Sequence, residues 1–328
     1  MALLHFVRAL AGMRHSALTA VGNTPLVQLR RVVPAGCAEV WLKLEGGNPS
    51  GSYKDRPALS AISGAIERGE LIEGGECVDY SGGSTGSALA FVASVHGVKF
   101  TCVSSDAFAK SKLDTMRAFG AEIVIEPSEG GKITPDLLQR MKQRAYALGE
   151  QPGVWRVDQF GNPDIPKGFE PMADEILAVL PDVDVFCGMV GTGAALMGTA
   201  DGFRKAGVSS PDFYAFEPLQ SPFLTTGKGG PHNVDGTGVG FEPPFIERSR
   251  LTGIRTVDEN EGFEMCRRLA REEGIFCGSS TGCNVVAALE LAREYGEGKR
   301  IVTLGCDTAL KYLAGQPYAG GIAAAAEE

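Results

Sequence analysis

The sequence predicts an α/β protein with two domains, each built on a doubly wound, open and mostly parallel sheet. Short apolar runs rich in β-branched residues, such as "KFTCVSS" and "RIVTLG", alternate with amphipathic helical patterns along most of the chain. Apolar strands separated by such helices are typical of parallel sheets with helices on both faces. About nine or ten strands are expected, more than one compact sheet usually holds. The 328 residues are enough for two cores.

The predicted elements alternate in both halves of the chain. The predicted strands are "EVWLKLE", "CVDYS", "KFTCVSS", "AEIVIEP", "VDVFCGMV", "FYAFEP" and "RIVTLG". The predicted helices are "DRPALSAISGAIERGE", "TGSALAFVASVHG", "AKSKLDTMRAFG", "TPDLLQRMKQRAYALG", "ALMGTADGFRKAG", "EGFEMCRRLAREEG" and "NVVAALELAREYG". The loop "GEQPGVWRVDQFGNPD" is the expected domain boundary. Ligands of such sheets bind beyond the carboxyl ends of the strands, where the glycine-rich loops of this chain lie.

Composition argues against several classes of function. The net charge is -9 with acids and bases interspersed, whereas nucleic-acid grooves depend on basic clusters. Eight cysteines form no C-x-x-C pair and the four histidines are scattered, so no metal site is expected. No apolar run approaches the ~20 residues of a membrane span. We therefore expect a cytoplasmic protein with reduced thiols and no membrane contact.

The stretch "NPSGSYKDR" places a turn before a helix, with Ser52 positioned to cap it. Helix N-termini favour acidic residues, which suits Asp55 but not Lys54. On local grounds Lys54 is either an exposed lysine or an amine whose charged form is disfavoured for a chemical purpose.

Five glycine-rich or hydroxyl-rich segments lie among the predicted strands and helices and are candidates for binding or catalysis. In "VGTGAALMG", small residues at a helix start indicate a phosphate cradle, a nicotinamide-binding turn with Glu217 as the ribose ligand, or a plain tight turn. In "SGGSTG", amides and hydroxyls suit a carboxylate or simply cap a helix. The long loop "KGGPHNVDGTGVGFEPP" contains His232. This histidine could act as a base, but a single histidine beside a proline more commonly has a structural role. "CGSSTGCN" opens a further helix, and in "CDTALKYL" Asp307 and Thr308 follow a strand as cleft residues or caps.

Together these segments resemble the cysteine synthases, members of the β-family (fold type II) of pyridoxal-phosphate (PLP) enzymes that includes the cystathionine β-synthases and is similar to the tryptophan synthase β chain. The matching motifs cover about residues 21 to 314 in order and are "VGNTPLVQL", "LKLEGGNPSGSYKDR", "SGGSTGSALA", "DQFGNP", "VGTGAALMG", "FEP", "GPHNVDGTGVGF", "GSSTG" and "DTALKYL".

The resemblance implies roles for individual residues, with PLP in the cleft between the two domains. Lys54 matches the lysine that binds PLP covalently and acts as the catalytic base, and Thr308 matches the hydroxyl residue at the pyridine nitrogen. The implied phosphate ligands are Gly191, Thr192, Gly193, Ala194 and Ala195. The implied substrate ligands are Ser81, Gly82, Gly83, Ser84, Thr85, Gln159 and Gly236.

The chain departs from the family pattern at the substrate loop. The family usually reads T-S-G-N-T-G where this chain reads S-G-G-S-T-G, so Ser84 replaces the asparagine that contacts the phenolic oxygen of PLP. A one-residue insertion would also account for this loop. Ala195 replaces a threonine of the phosphate site, and Cys306 replaces a proline. These changes bear on the substrate more than on the cofactor.

The implied activity is β-replacement on a serine-type amino acid through an α-aminoacrylate, most simply O-acetyl-L-serine plus sulfide giving L-cysteine. The alternatives are β-elimination by a cysteine desulfhydrase or a serine/threonine dehydratase, a nicotinamide-dependent oxidoreductase, and a catalytically silent binding protein. The expected partners are a second copy in a homodimer and a serine acetyltransferase. The expected domains are a smaller, mobile substrate-side domain at 49–157, a larger PLP domain at 16–48 plus 158–316, an N-terminal arm at 1–15 and a tail at 317–328.

Overall fold

The structure is a computed structural model that describes residues 16–208, 211–313 and 315–318. The predicted N-terminal arm and most of the predicted tail lie outside the described residues. The described strands are β1 (Leu26–Gln28), β2 (Glu39–Leu44), β3 (Glu76–Tyr80), β4 (Lys99–Ser105), β5 (Glu122–Glu126), β6 (Val154–Arg156), β7 (Val185–Met189), β8 (Asp212–Pro218), β9 (Gly253–Val257) and β10 (Arg300–Gly305). The described helices are α1 (Asp55–Glu67), α2 (Ser84–Val95), α3 (Lys110–Ala118), α4 (Pro135–Gly149), α5 (Asp164–Lys167), α6 (Pro171–Leu177), α7 (Ala194–Lys205), α8 (Phe223–Thr226), α9 (Glu259–Arg268) and α10 (Ser279–Tyr295).

The predicted α/β class is confirmed, and the chain contacts divide the protein into two compact units. The first unit contains the described residues up to Asn23, then Asn48–Ser50 and Lys54–Gly168. The second contains Thr24–Gly47, Gly51–Tyr53 and the described residues from Phe169 onward. Each unit has its own sheet, and the chain passes from one unit to the other immediately before Lys54.

The sheet of the first unit has the strand order β5-β4-β3-β6, with all neighbours parallel. The chain adds β4 and β5 on one side of β3 and then returns to add β6 on the other side. This reversal creates a crevice at the carboxyl ends of β3 and β6, the usual binding place in a doubly wound sheet. The core beside it includes Val78, Val103, Leu137 and Met141, all at most 1% exposed.

The sheet of the second unit has the order β1-β2-β10-β7-β8-β9, in which only the short edge strand β1 is antiparallel to its neighbour. Here the chain adds β8 and β9 on one side of β7 and later places β10 on the other side. The reversal point therefore lies between β7 and β10. Strand β7 is buried along its whole length, as its uninterrupted apolar sequence predicts for a central parallel strand.

Helix ends follow the local chemistry of the sequence. The Asp258 side chain accepts a hydrogen bond from the amide of Asn260 and caps α9. Acidic residues occupy the first turn of α9 and Arg267 and Arg268 the last, which matches the helix dipole. Thr134 caps α4 by accepting from the amide of Leu137. No helix among the described residues has the length and apolar character needed to cross a membrane.

A buried ion pair joins β2 to α6 in the second unit. Lys43 is fully buried, and its ammonium group lies 2.6 Å from a carboxylate oxygen of Glu175 while also donating to the carbonyl of Thr24. The same carboxylate oxygen of Glu175 accepts from the amide of Thr24 at 3.3 Å. Because burying a charge is costly unless it is paired, each partner depends on the other.

We expect Glu175→Ala to lower the free energy of unfolding by roughly 3 kcal/mol, because it removes the carboxylate that lies 2.6 Å from the fully buried Lys43 ammonium. The double variant Lys43→Met/Glu175→Leu should recover most of that loss, since it replaces the pair with apolar groups of similar volume. Chemical denaturation of the three proteins tests this. Equal destabilisation by the single and the double variant would contradict it.

Candidate active site

The helix start at Lys54 differs in detail from the prediction. Helix α1 begins at Asp55, and Lys54 itself is the N-cap residue, without a side-chain capping bond. The predicted cap by Ser52 is wrong, because Ser52 is fully buried in an isolated bridge with Asp307. The carboxylate of Asp55 instead accepts from the amide of Ser50 at 2.7 Å and from its hydroxyl. Lys54 is partly buried.

A short antiparallel pairing fixes the backbone that leads to Lys54. The amide of Tyr53 donates to the carbonyl of Cys306 at 2.9 Å, and the amide of Thr308 donates to the carbonyl of Gly51 at 3.0 Å. Gly51 has a φ of +83°, and a Cβ there would lie 2.9 Å from the side chain of Thr308. Both the backbone conformation and the nearby Thr308 side chain therefore disfavour any residue other than glycine. The residue before Lys54 is thus tied to the segment that follows β10.

The loop after β7 has the features of a phosphate site. Helix α7 begins at Ala194, and its N-cap Gly193 offers no side chain to the first turn. The hydroxyl of Thr192 accepts from the amide of Ala194 at 3.3 Å. The next two amides, those of Ala195 and Leu196, have no acceptor among the described residues. Amides left open at a helix N-terminus suit an anion.

The long glycine-rich loop lies directly against this turn. A Cβ on Gly191 would be 2.2 Å from the carbonyl oxygen of Gly236. The amide of Gly238 donates to the carbonyl of Val190 at 3.0 Å. The structure therefore brings Gly236 together with the predicted phosphate residues.

His232 braces this loop through both ring nitrogens. Its Nδ1 accepts from the amide of Val234 at 3.2 Å, so Nε2 carries the proton and donates to the carbonyl of Gly238 at 3.1 Å. The structural interpretation of His232 accounts for these contacts, and the general-base alternative does not.

Glu217 does not serve as a ribose ligand. Its buried carboxylate accepts from the amide of Leu224 at 2.7 Å and from both the amide and the hydroxyl of Thr225 at 2.8 Å. These bonds hold the short helix α8. Glu217 was the acidic residue that a nicotinamide-binding site would require, so these bonds argue against that alternative.

Asn284, on α10, links the carboxyl ends of β7 and β10. Its Oδ1 accepts from the amide of Met189 at 2.6 Å, and its Nδ2 donates to the carbonyl of Leu304 at 2.7 Å. Nδ2 also lies 3.3 Å from the sulfur of Cys306. A single buried amide thus sets the spacing of the two strands whose ends carry the phosphate loop and Thr308.

The start of α10 contributes hydroxyl groups whose roles the sequence interpretation left unassigned. The hydroxyl of Thr281 accepts from the amide of Cys306 at 2.9 Å. Ser279 is 1% exposed, and its hydroxyl has no hydrogen-bond partner among the described residues. The predicted residue Thr308 lies opposite Cys277 in an isolated bridge and caps Leu310 with its hydroxyl. In the sequence, the run "SSTG" at the start of a predicted helix was the feature that could have indicated these hydroxyl groups.

The predicted carboxylate loop follows β3 in the first unit. The Ser81 hydroxyl oxygen accepts from the amides of Gly83 and Gly86 at 3.2 and 3.0 Å. Ser81 therefore shapes the loop and caps α2. Ser84 and Thr85 begin α2, and hydroxyl groups at a helix N-terminus suit an incoming carboxylate.

Gln159 lies beside this loop because it follows β6, the strand across the reversal point from β3. Its side-chain amide donates to the carbonyl of Tyr80 at 2.8 Å. Its backbone amide donates to Asp79 at 3.2 Å, and the amide of Tyr80 donates to the other oxygen of Asp79 at 2.8 Å. Asp79 thus joins the two segments that the sequence assigned to the substrate.

Burial dominates the electrostatics of Asp79. Removal from water raises the pKa of its carboxyl group to about 7, against the opposing effect of the two amides that it accepts from. The charge of Asp158 raises this pKa further, and that of Arg156 lowers it. Burial likewise raises the pKa of the neighbouring thiols of Cys77 and Cys102.

Comparison with known proteins identifies the family. Residues 17–307 match the family model described as "Pyridoxal-phosphate dependent enzyme". The chain belongs to this family. It is 35% identical over 301 residues to a cysteine synthase of Staphylococcus aureus (strain Mu50 / ATCC 700699), covering 91% of this chain and 95% of the relative.

Solved structures agree with this assignment. A cysteine synthase of Entamoeba histolytica superposes with a TM-score of 0.85 at 30% identity, covering 93% of this chain and 90% of that one. A hydrogen sulfide-producing enzyme of Fusobacterium nucleatum superposes with a TM-score of 0.82 at 33% identity, covering 91% and 99%. The predicted family, PLP dependence and cysteine synthase-like transferase class are confirmed.

The residues present fit PLP. Open amides follow Gly193 where a phosphate is expected, and the buried Ser279 hydroxyl has no protein partner among the described residues. Both lie in the second unit, beyond the strands that flank its reversal point. The described part of the chain contains no group of three or more His, Cys, Asp or Glu side chains that would hold a metal ion.

We expect Gly191→Ala to weaken PLP binding about 10- to 100-fold, because the added methyl group displaces the Gly236 carbonyl at a cost of about 1–3 kcal/mol for overpacking. Gly188→Ala is the matched control, since a Cβ there meets its nearest neighbour at 3.7 Å. Titration of the apoprotein with PLP measures both variants. Equal affinities for the two would contradict the proposed role of the close contact.

We expect the contribution of Asp79 to stability to fall as the pH rises. Its pKa in the folded protein, about 7, exceeds the usual value of 3.8, so the folded state binds the proton more tightly than the unfolded state. The unfolding free energy of the wild type minus that of Asp79→Asn should decrease by a few kcal/mol between pH 4 and about pH 7 and then level off. Urea unfolding across this range tests it, and a difference that is constant or rises with pH would contradict it.

Proposed function

We propose that this protein makes L-cysteine by PLP-dependent β-replacement, with O-acetyl-L-serine and sulfide as substrates and acetate as the second product. The observation that carries the proposal is the pairing of Gly51–Tyr53 with Cys306–Thr308, which ties the residue before Lys54 to the segment after β10. The cysteine synthase relative from Staphylococcus aureus, 35% identical over 301 residues, supports the choice of reaction.

The residues that would hold PLP follow from the site. Lys54 would bind it covalently, and the turn from Gly191 to Ala195 would bind its phosphate through backbone amides and the Thr192 hydroxyl. When bound, PLP supplies the electron sink that makes loss of the substrate α-proton and of its β-substituent feasible.

The chain's own groups then position the substrate and move the proton. The Lys54 amine would take the substrate α-proton as general base. The loop from Ser81 to Thr85 binds the substrate carboxylate with amides and hydroxyls, and Gln159 adds its side-chain amide. Gly236 presents its backbone to the substrate amine. These assignments make a free α-amino acid the required substrate class.

The pyridine nitrogen is the one point where the geometry adds candidates. Thr308 remains the predicted partner, although its hydroxyl already caps Leu310. We propose the hydroxyl groups of Ser279 and Ser280, at the start of α10, as alternative partners of the pyridine nitrogen. Ser280 is 8% exposed and Ser279 1%. A neutral hydroxyl leaves the ring largely unprotonated, which favours β-elimination and replacement over long-lived carbanion chemistry such as transamination.

Net β-elimination is the second candidate function. Ser84 stands where the family usually has asparagine, and the Fusobacterium nucleatum neighbour is named as a hydrogen sulfide-producing enzyme. Net β-elimination would release pyruvate, ammonia and the β-leaving group from L-cysteine or a serine-type substrate without an added nucleophile. Pyruvate and cysteine formation measured on the same protein separate the two candidates.

The remaining parts of the proposal rest on the family resemblance. They are a homodimer, a cytoplasmic location and docking of a serine acetyltransferase. Sedimentation of the purified protein, alone and with the acetyltransferase, tests the two assembly proposals.

We expect the PLP-loaded wild type to convert O-acetyl-L-serine and sulfide to L-cysteine, and Lys54→Ala to reduce kcat by at least about 10²-fold, because a general base contributes about 10² to 10⁴. Lys110→Ala is the matched control. Lys110 is in the same unit, its side chain is 85% exposed, and its ion pair with Asp114 lies at the surface. Mass-spectrometric quantification of cysteine, acetate and pyruvate provides the readout.

Two results would overturn the proposal. The first is unchanged cysteine formation in Lys54→Ala. The second is steady pyruvate release by the wild type that added sulfide does not divert to cysteine, which would establish the elimination activity instead.

A further inference from the structure

The aromatic ring of Phe108 occupies the space next to the α-carbon of Gly82, inside the proposed carboxylate loop. A Cβ built on Gly82 would lie 2.1 Å from Cε1 of Phe108, 2.2 Å from Cδ1 and 2.3 Å from Cζ. Real Cβ atoms essentially never come within 3.0 Å of a heavy atom in this way. The ring edge therefore fills the volume that any side chain at position 82 would need.

The ring is held from its other side by the core of the first unit. Phe108 packs against the buried cluster that includes Val78, Val103 and Leu137. Its backbone closes a tight turn after β4, in which the amide of Phe108 donates to the carbonyl of Ser105 at 3.2 Å. The turn restrains the backbone of Phe108, and the apolar contacts restrain its ring.

The contact matters because residue 82 is a glycine. Any side chain at this position, serine included, would clash with the ring. Glycine has more conformational freedom to lose than any other residue, so an unsupported glycine in a binding loop weakens binding through the cost of ordering it. The ring of Phe108 supplies the restraint that the missing side chain does not.

We propose that Phe108 is a positioning residue for the amino-acid substrate, which holds the backbone of Gly82 so that the loop amides are aligned before the substrate carboxylate arrives. This inference rests on the proposed function of the loop from Ser81 to Thr85. It assigns to Phe108 an effect on substrate affinity with little effect on the chemical step.

The test uses reciprocal substitutions in the PLP-loaded enzyme. Phe108→Ala should raise KM for O-acetyl-L-serine about tenfold while kcat changes less than threefold. Gly82→Ala should also raise KM, because its methyl group displaces the ring. The double variant Gly82→Ala/Phe108→Ala should have a lower KM than Phe108→Ala, since alanine restricts the backbone and fits the vacated space. The φ of Gly82 is not positive, so alanine is compatible there.

Phe119→Ala is the matched control. Phe119 lies in the same unit, is likewise partly buried, and packs its ring against Phe91 with centroids 5.7 Å apart. Its loss should lower the melting temperature without changing KM. Phe108→Leu, which keeps an apolar side chain over Gly82, should lie between wild type and Phe108→Ala.

The possible failures are distinguishable. A wild type that shows neither a spectral change nor turnover with O-acetyl-L-serine overturns the proposed function and this inference with it. A wild type that turns over, with Phe108→Ala retaining the wild-type KM, overturns only the inference. A double variant whose KM is higher than that of both single variants also overturns it, because the reciprocal fit would be absent.

Discussion

The structure depends on one short backbone pairing, in which Gly51–Tyr53 lie antiparallel to Cys306–Thr308. Two hydrogen bonds of 2.9 and 3.0 Å hold it. These segments are separated by some 250 positions in the sequence, yet the pairing places the last residue before Lys54 at the end of β10. The proposed role of Lys54, forming and breaking a covalent bond to a cofactor, requires a well-positioned backbone, and this pairing positions the residue immediately before it. The turn at Gly51 has a φ of +83°, which strongly favours glycine, so the sequence at this position supports the pairing.

Each unit places its functional segments at the reversal point of its own sheet. In the first unit, the loop from Ser81 to Thr85 follows β3 and Gln159 follows β6. In the second, the Gly191–Ala195 turn follows β7 and Thr308 follows β10. Side chains buried below these segments hold them in place: Asp79 joins the first pair, and Asn284 spans the strands that lead to the second pair.

The sequence predicted the long, strongly patterned elements well and the short, exposed ones poorly. Strands β4 and β10 have the predicted bounds, because uninterrupted apolar runs leave little choice of structure. Strands β1, β6 and β9 were missed, since segments of three to five residues at sheet edges carry a weak pattern. The motif residues came from the family resemblance. The roles of Asp79, Asn284 and Phe108 depend on contacts between distant segments, which no local pattern reveals. Ser52 shows the same limit, because its tertiary pairing with Asp307 overrides its propensity to cap a helix.

The central claim is that the amine of Lys54 is the group to which PLP is attached. Reduction of the PLP-loaded protein with borohydride makes that attachment permanent, and peptide mapping by mass spectrometry then locates it. We expect the pyridoxyl label on the peptide containing Lys54 and on no other lysine. A label on a different lysine, or a reduced protein that carries none, would contradict the account.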